Sequence, residues 1–186
     1  MIQQFYNQYF QRNNLRVVLA LGLTFFIAST LIDIRPLLYF ALFCILNAGF
    51  LTYERYVDLQ LDLEFSTFAT VLMTLKYGLA WGLIAGVGTK IAAVLYNKDF
   101  NMNTIYSLAA YIAAAFFAGL FAMLHYQNLV LTGILVSVLV NLFSFFLMKF
   151  SDMASPYQLV MYGVSNIMFN IIVFLGFSQI VFKIMI

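Results

Sequence analysis

Residues 62–97 read DLEFSTFATVLMTLKYGLAWGLIAGVGTKIAAVLYN, and this segment sets the architecture that we expect for the whole chain. A single helix from Glu64 to Asn97 would be roughly 50 Å long at ~1.5 Å per residue. The hydrocarbon core of a bilayer is only ~30 Å thick. We therefore predict a break near Lys76-Tyr77-Gly78, with a short helix before it and a full membrane span after it.

The composition is that of a membrane protein. Of the 186 residues, 65% are hydrophobic and only 9% are charged, whereas a soluble domain has about 25% charged residues. Apolar runs such as Leu108–Leu124 do not alternate with polar residues, which favours helices over a transmembrane barrel. A net charge of +2 gives no reason to expect nucleic-acid binding. The predicted fold is an all-α, multi-pass bundle of six or seven transmembrane helices in the cell membrane.

We expect one integral membrane domain over residues 1–186. Its predicted parts are an interfacial segment at 1–14 and helical segments near 15–31, 37–53, 65–76, 79–96, 104–124, 129–148 and 157–184. The charged run 54–64 is expected to be an aqueous loop, so a solvated face is the favoured interpretation of Asp58, Asp62 and Glu64, with contact to a polar ligand or a cation as the alternative. Ser66 or Thr67 is expected to cap the short helix that follows.

The sequence does not favour an enzyme. His125 and Cys44 are the only histidine and cysteine, and they are too far apart in sequence to suggest a metal site. No nucleophile has a histidine partner at a readable spacing, so we expect no catalytic residues and no cofactor. Lys76 and Lys90 are the charged residues placed within the spans. Lys90 lies deeper in its helix, so of the two it is the better candidate for a buried functional charge, but snorkelling is the favoured alternative.

Amide side chains within the later spans are the candidate ligand-binding groups. Asn141 lies in the middle of one span, and Asn166 and Asn170 lie one turn apart in the next. Such amides either hydrogen-bond neighbouring helices or form a pocket for a neutral or zwitterionic small molecule. In the second case Lys90 and the aromatic faces of Tyr162 and Trp81 would contribute to the pocket.

Two stripes of small residues can let another helix approach closely. They consist of Gly78, Gly82 and Gly86 in one span and of Ala110, Ala114 and Ala118 in a later one. The stripes are expected either to pack against each other within the chain or to contact a partner membrane protein.

Residues 62–96 resemble the S component, the substrate-binding membrane subunit, of energy-coupling factor vitamin transporters. The resemblance rests on Asp62-Leu63-Glu64-Phe65-Ser66, on the Tyr77-Gly78 break and on the glycines that follow it. Farther along, the small-residue run 113–120 and Val140-Asn141-Leu142 are similar to the fourth and fifth helices of that family. The resemblance implies binding and uptake of a vitamin-like solute, energised by partner subunits.

The same region also resembles the rod-shape-determining membrane protein MreD. The shared pattern is a glycine-rich span, a polar turn and the small-residue helix 103–124. This second resemblance implies a non-enzymatic scaffold in the lipid bilayer that holds a partner protein through its glycine and alanine faces.

Overall fold

The computed structural model describes residues 33–57, 63–98, 100, 102–124, 128–150 and 155–185. Pro36–Ile186 form one compact unit. In the part of the preceding unit that is described, the Arg35 backbone N–H donates to Asp33 Oδ1 at 3.0 Å. The described residues form helices and no strand: α1 Arg35–Val57, α2 Ser66–Tyr77, α3 Leu79–Asn97, α4 Met102–Met123, α5 Leu129–Phe150 and α6 Pro156–Ile184.

Five of these helices are long and apolar enough to cross a membrane, and α2 is the exception. With 12 residues, α2 is roughly 18 Å long at ~1.5 Å per residue, which is shorter than the ~30 Å hydrocarbon core. The prediction of a helical membrane protein is thus confirmed over the described residues. The segments predicted at 1–14 and 15–31, and His125, lie outside them.

The predicted break between α2 and α3 is confirmed and lies at Gly78. This residue has φ +94° and ψ 171°, a backbone conformation that is essentially restricted to glycine. Its N–H donates to the Thr74 carbonyl at 3.0 Å, and α3 begins at the next residue. Two helices with separate directions replace the single helix that would exceed the bilayer thickness.

The short helix α2 lies at the centre of the unit formed by residues 36–186. Every residue from Ser66 to Thr74 is buried. The Phe68 ring lies 6.1 Å from the Phe43 ring of α1 and 5.0 Å from the Phe174 ring of α6, measured between centroids. Many side chains on the outer helices are exposed, such as Ile45 on α1 and Leu175 on α6. A buried central helix with apolar side chains outside it is the arrangement expected in lipid.

The glycines of α3 lie against α2. A Cβ atom at Gly86 would be 2.6 Å from Thr70 Oγ1, and one at Gly82 would overlap the Thr74 side chain. Gly78 lies at the break and is exposed. Of the two expected roles, packing within the chain is the one observed at Gly82 and Gly86, because α2 occupies their surface.

The alanine stripe of α4 is also inside the molecule. Ala110, Ala114 and Ala118 are at most 2% exposed and belong to the hydrophobic core. Intramolecular packing is again the outcome, so these alanines offer no surface for a partner protein.

The loop predicted at 54–64 is shorter than expected. Helix α1 continues to Val57, and Glu64 is buried rather than solvated. Asp58 and Asp62 lie outside the described residues. The expected side-chain cap on α2 is also absent: Phe65 is the N-cap residue, and its N–H donates to Asn47 Oδ1 on α1 at 2.7 Å. A neighbouring helix, rather than Ser66 or Thr67, fixes the start of α2.

Two tyrosines hold the C-terminal end of α6. The Tyr39 hydroxyl on α1 donates to the Ile184 carbonyl at 2.7 Å, and the Tyr77 hydroxyl on α2 donates to the Met185 carbonyl at 3.1 Å. Carbonyl groups in the last turn of a helix have no partner within the helix. The Tyr39 bond satisfies one of them, at Ile184, the Tyr77 bond satisfies the carbonyl of the next residue, and together they join the end of α6 to α1 and α2.

Candidate functional site

A buried ion pair lies where α2 begins. Lys90 Nζ on α3 is 2.8 Å from Glu64 Oε1, and the side chains are only 11% and 2% exposed. The Glu64 carboxylate immediately precedes α2, and Lys90 lies well inside α3. The snorkelling alternative for Lys90 does not describe this arrangement, since the ammonium group is turned towards a buried carboxylate.

Two hydroxyl groups also hydrogen-bond to the Glu64 carboxylate. Tyr111 on α4 donates its hydroxyl to Glu64 Oε2 in a short hydrogen bond. Ser66 Oγ lies 3.4 Å from Glu64 Oε1. Both carboxylate oxygens therefore have partners, and the charged group is bound by side chains of α3 and α4.

A second layer of bonds connects this carboxylate to α1. Asn47 Nδ2 donates to Ser66 Oγ at 3.0 Å and to the Thr89 carbonyl at 3.2 Å. Thr89 Oγ1 lies 3.0 Å from Ser66 Oγ. We call the six residues the Glu64 network: Asn47, Glu64, Ser66, Thr89, Lys90 and Tyr111. The network joins four helices and carries no net charge, so it is suited to fixing helix positions within an apolar environment.

The three predicted asparagines come together between α5 and α6. Asn141 Nδ2 donates to Asn166 Oδ1 at 2.8 Å, and Asn170 Nδ2 donates to the same oxygen at 2.9 Å. Asn141 also donates to the Ser137 carbonyl at 2.8 Å. We call Asn141, Asn166 and Asn170 the asparagine cluster. The expectation that these amides hydrogen-bond a neighbouring helix is met between α5 and α6, and the pocket for a small molecule stays a prediction.

The asparagine cluster keeps one acceptor unpaired. Asn166 and Asn170 are buried, yet Asn170 Oδ1 has no hydrogen-bond partner among the described residues. The Ser137 hydroxyl is likewise buried and unpaired. Burying an unpaired polar group is unfavourable by about 1–3 kcal/mol. The cluster thus contains a buried oxygen with no partner, whereas both oxygens of the Glu64 carboxylate are paired.

The other predicted ligand-binding residues are not part of the asparagine cluster. Lys90 belongs to the Glu64 network. Trp81 packs against the hydrophobic core. Tyr162 is 40% exposed on α6. Lys76, the second charge predicted within the spans, lies 4.9 Å from the centroid of the Phe182 ring.

Sequence reasoning missed the partners that complete each group. It assigned Glu64 to solvent and did not select Asn47 or Ser137. One signal was present: a lysine in the middle of an apolar helix requires a counter-charge, and Glu64 is an acid at the edge of an apolar segment.

Among the described residues, no group of three or more His, Cys, Asp or Glu side chains is placed to hold a metal ion. No known protein-family model, curated protein or solved structure matches this chain. The Glu64 network and the asparagine cluster are therefore the features from which a function can be inferred.

Proposed function

We propose that this protein is a membrane-embedded solute-binding subunit that takes up a small, vitamin-like molecule. The observation that carries the proposal is the asparagine cluster, which concentrates three amides between two membrane-spanning helices. One of its acceptors, Asn170 Oδ1, is buried without a partner. Small-molecule sites are mostly apolar with a few convergent polar groups that orient the ligand, and this cluster has that character.

The surroundings of the cluster support the same proposal. An aromatic group lies next to the cluster along the chain, since Phe169 directly precedes Asn170 and its ring lies 5.7 Å from the Phe65 ring and 5.4 Å from the Phe50 ring. Such rings give apolar walls against which a planar solute can stack. The Glu64 network would hold the first helices in position, and energy for uptake would come from partner subunits.

The alternative is a scaffold similar to MreD. It would hold a membrane partner through its glycine and alanine faces, but Gly82, Gly86 and the alanines of α4 are buried within this chain. A scaffold would therefore need a different surface. This favours the solute-binding proposal over the scaffold.

The test is mass spectrometry of small molecules released from the detergent-purified protein. Wild type should release a stoichiometric small molecule, and the Asn166→Ala/Asn170→Ala variant should release none. Asn97→Ala is the matched control. Asn97 is also a buried amide, but it lies at the C-terminal end of α3 and bonds to Ala93, Ala48 and Thr52. This variant should retain the molecule. A wild-type protein that carries no small molecule but purifies with a membrane protein would instead favour the scaffold.

A further inference from the structure

Three buried side-chain oxygens have no hydrogen-bond partner among the described residues. They are Thr67 Oγ1 on α2, Ser137 Oγ on α5 and Asn170 Oδ1 on α6, and all three residues are fully buried. Native proteins pair almost all such groups with a neighbour, an ordered water or a ligand. Three of them in one small bundle therefore call for an explanation.

The register of α5 and α6 places two of these oxygens opposite each other. At one point the Phe174 ring lies directly against Gly133, and at another Asn141 bonds Asn166. Ser137 lies one turn after Gly133 and one turn before Asn141. Asn170 lies one turn before Phe174 and one turn after Asn166. Because the helices run antiparallel, Ser137 is level with Asn170.

The third oxygen lies on the part of α2 that packs against the same region of α6. Phe65 and Phe68 flank Thr67 along the chain, and their rings contact Phe169 and Phe174. Those two residues in turn flank Asn170. The unpaired oxygens of α2, α5 and α6 are thus near one level of the bundle, beside a group of aromatic rings.

The unused hydrogen-bonding positions of Asn170 and Ser137 determine which chemical group can bind there. Asn170 uses its Nδ2 group on the Asn166 carbonyl and on Asn166 Oδ1, so Asn170 presents an acceptor only. The Ser137 hydroxyl can donate or accept. Neither oxygen has a charged partner, so a charged group would be desolvated here without compensation. The complementary group is uncharged and brings one donor and one acceptor side by side.

We propose that Ser137 and Asn170 bind the amide edge of an uncharged, planar solute, such as a cyclic amide with N–H beside C=O. The solute N–H donates to Asn170 Oδ1, and its carbonyl accepts from the Ser137 hydroxyl. This inference rests on the proposed solute-binding function and adds the chemical class of the solute.

The test compares two probes that differ by a single donor, 2-pyridone and 1-methyl-2-pyridone. Each is titrated into the detergent-purified protein while the thermal unfolding midpoint is followed. We expect 2-pyridone to raise the midpoint in a saturable way and the N-methyl compound to have no effect. Ser137→Ala and Asn170→Leu should each weaken 2-pyridone binding about tenfold or more, as expected for the loss of one hydrogen bond to a buried group.

The variants also separate a binding role from a structural one. Ser137→Ala removes a hydroxyl that has no hydrogen-bond partner in the described part of the chain, so the probe-free variant should unfold at the wild-type midpoint or above it. Ser178→Ala is the matched control. The buried Ser178 hydroxyl donates to the Phe174 carbonyl at 2.5 Å within α6, and this variant should bind 2-pyridone normally.

The proposal is overturned if neither probe shifts the midpoint, if both shift it equally, or if Ser137→Ala binds 2-pyridone like wild type. In those cases the two oxygens hold no more than an ordered water. Such a result is distinguishable from failure of the proposed function. A protein that releases a stoichiometric small molecule on purification yet ignores 2-pyridone is a solute-binding subunit for another chemical class.

Discussion

Lys90 and Glu64 form an ion pair of 2.8 Å in which both side chains are almost completely buried. They come from different sides of the α2–α3 break, since Glu64 precedes α2 and Lys90 lies deep in α3. A lone charge in this position would be strongly unfavourable, and its partner offsets that penalty. The pair therefore requires the two helices to fold back on each other.

Removing one member of the pair should be worse than removing both. Glu64→Gln leaves the Lys90 ammonium group buried without a counter-charge. Lys90→Met likewise leaves the Glu64 carboxylate buried without a counter-charge. We expect each single variant to lose about 3–5 kcal/mol of unfolding free energy, and the double variant to lose less than either. Reversible denaturant unfolding in detergent, arranged as a double-mutant cycle, measures this coupling.

The control for that cycle is the exposed pair of Arg35 and Asp33. Their closest N–O distance is 3.6 Å, and each side chain is 58% exposed. Asp33→Asn should change the unfolding free energy by less than about 1 kcal/mol. If the Glu64 and Lys90 variants behave like Asp33→Asn, or if their effects simply add, the buried pair does not have the role that we assign to it.

The Tyr111 hydroxyl should contribute to stability through the Glu64 carboxylate. Tyr111→Phe keeps the ring but removes the donor to Glu64 Oε2. Hydrogen bonds to charged groups are worth about 1.5–3 kcal/mol, so we expect a loss of that size. Tyr157→Phe, at a residue that is 69% exposed on α6, should have almost no effect. Equal midpoints for the two variants in the same unfolding assay would contradict this assignment.

Much of the helical framework could be predicted from the sequence because it follows from local properties. Membrane helices need about 20 predominantly apolar residues, and each of the five candidate spans, which are 19 to 26 residues long, meets that need. The break at Gly78 was predictable because one helix over residues 64–97 is too long for a bilayer. Helix ends moved by only a few residues, as with α1, which continues to Val57 rather than ending near Tyr53.

The polar contacts were harder to predict because they join residues that are distant in sequence. Glu64 stands next to a charged run and thus has the local character of a loop residue, although its partners Lys90 and Tyr111 lie on later helices. The three asparagines could be chosen from the sequence as candidate site residues because amides are conspicuous in apolar spans. Ser137 could not, since serine occurs in membrane helices without a special role. Its importance follows only from the register between α5 and α6.

Substitution at Gly86 should destabilise the protein itself. A Cβ atom there would be 2.6 Å from Thr70 Oγ1, 3.0 Å from Tyr111 Cβ and 3.2 Å from the Tyr111 carbonyl oxygen. Since backbone and side chain both obstruct it, Gly86→Ala should lose about 1–3 kcal/mol of unfolding free energy. Gly49→Ala is the control, because its Cβ would have no atom within 4 Å. A Gly86→Ala protein of normal stability that lost only a bound partner would return the glycine stripe to an intermolecular role.

Gly78→Ala tests whether the break between α2 and α3 is maintained by backbone conformation alone. A Cβ atom at Gly78 would meet nothing within 4 Å, but the residue has φ +94°. Strain of this kind is worth about 1–3 kcal/mol, so the variant should be destabilised without any steric clash. Gly176→Ala is the matched control, because its Cβ also has open space and its backbone is helical. Replacing that glycine should stabilise α6 by about 0.5–1 kcal/mol. Opposite signs for the two variants in denaturant unfolding would establish that the conformation of Gly78 sets the break. Equal signs would mean that packing around α2 sets it instead.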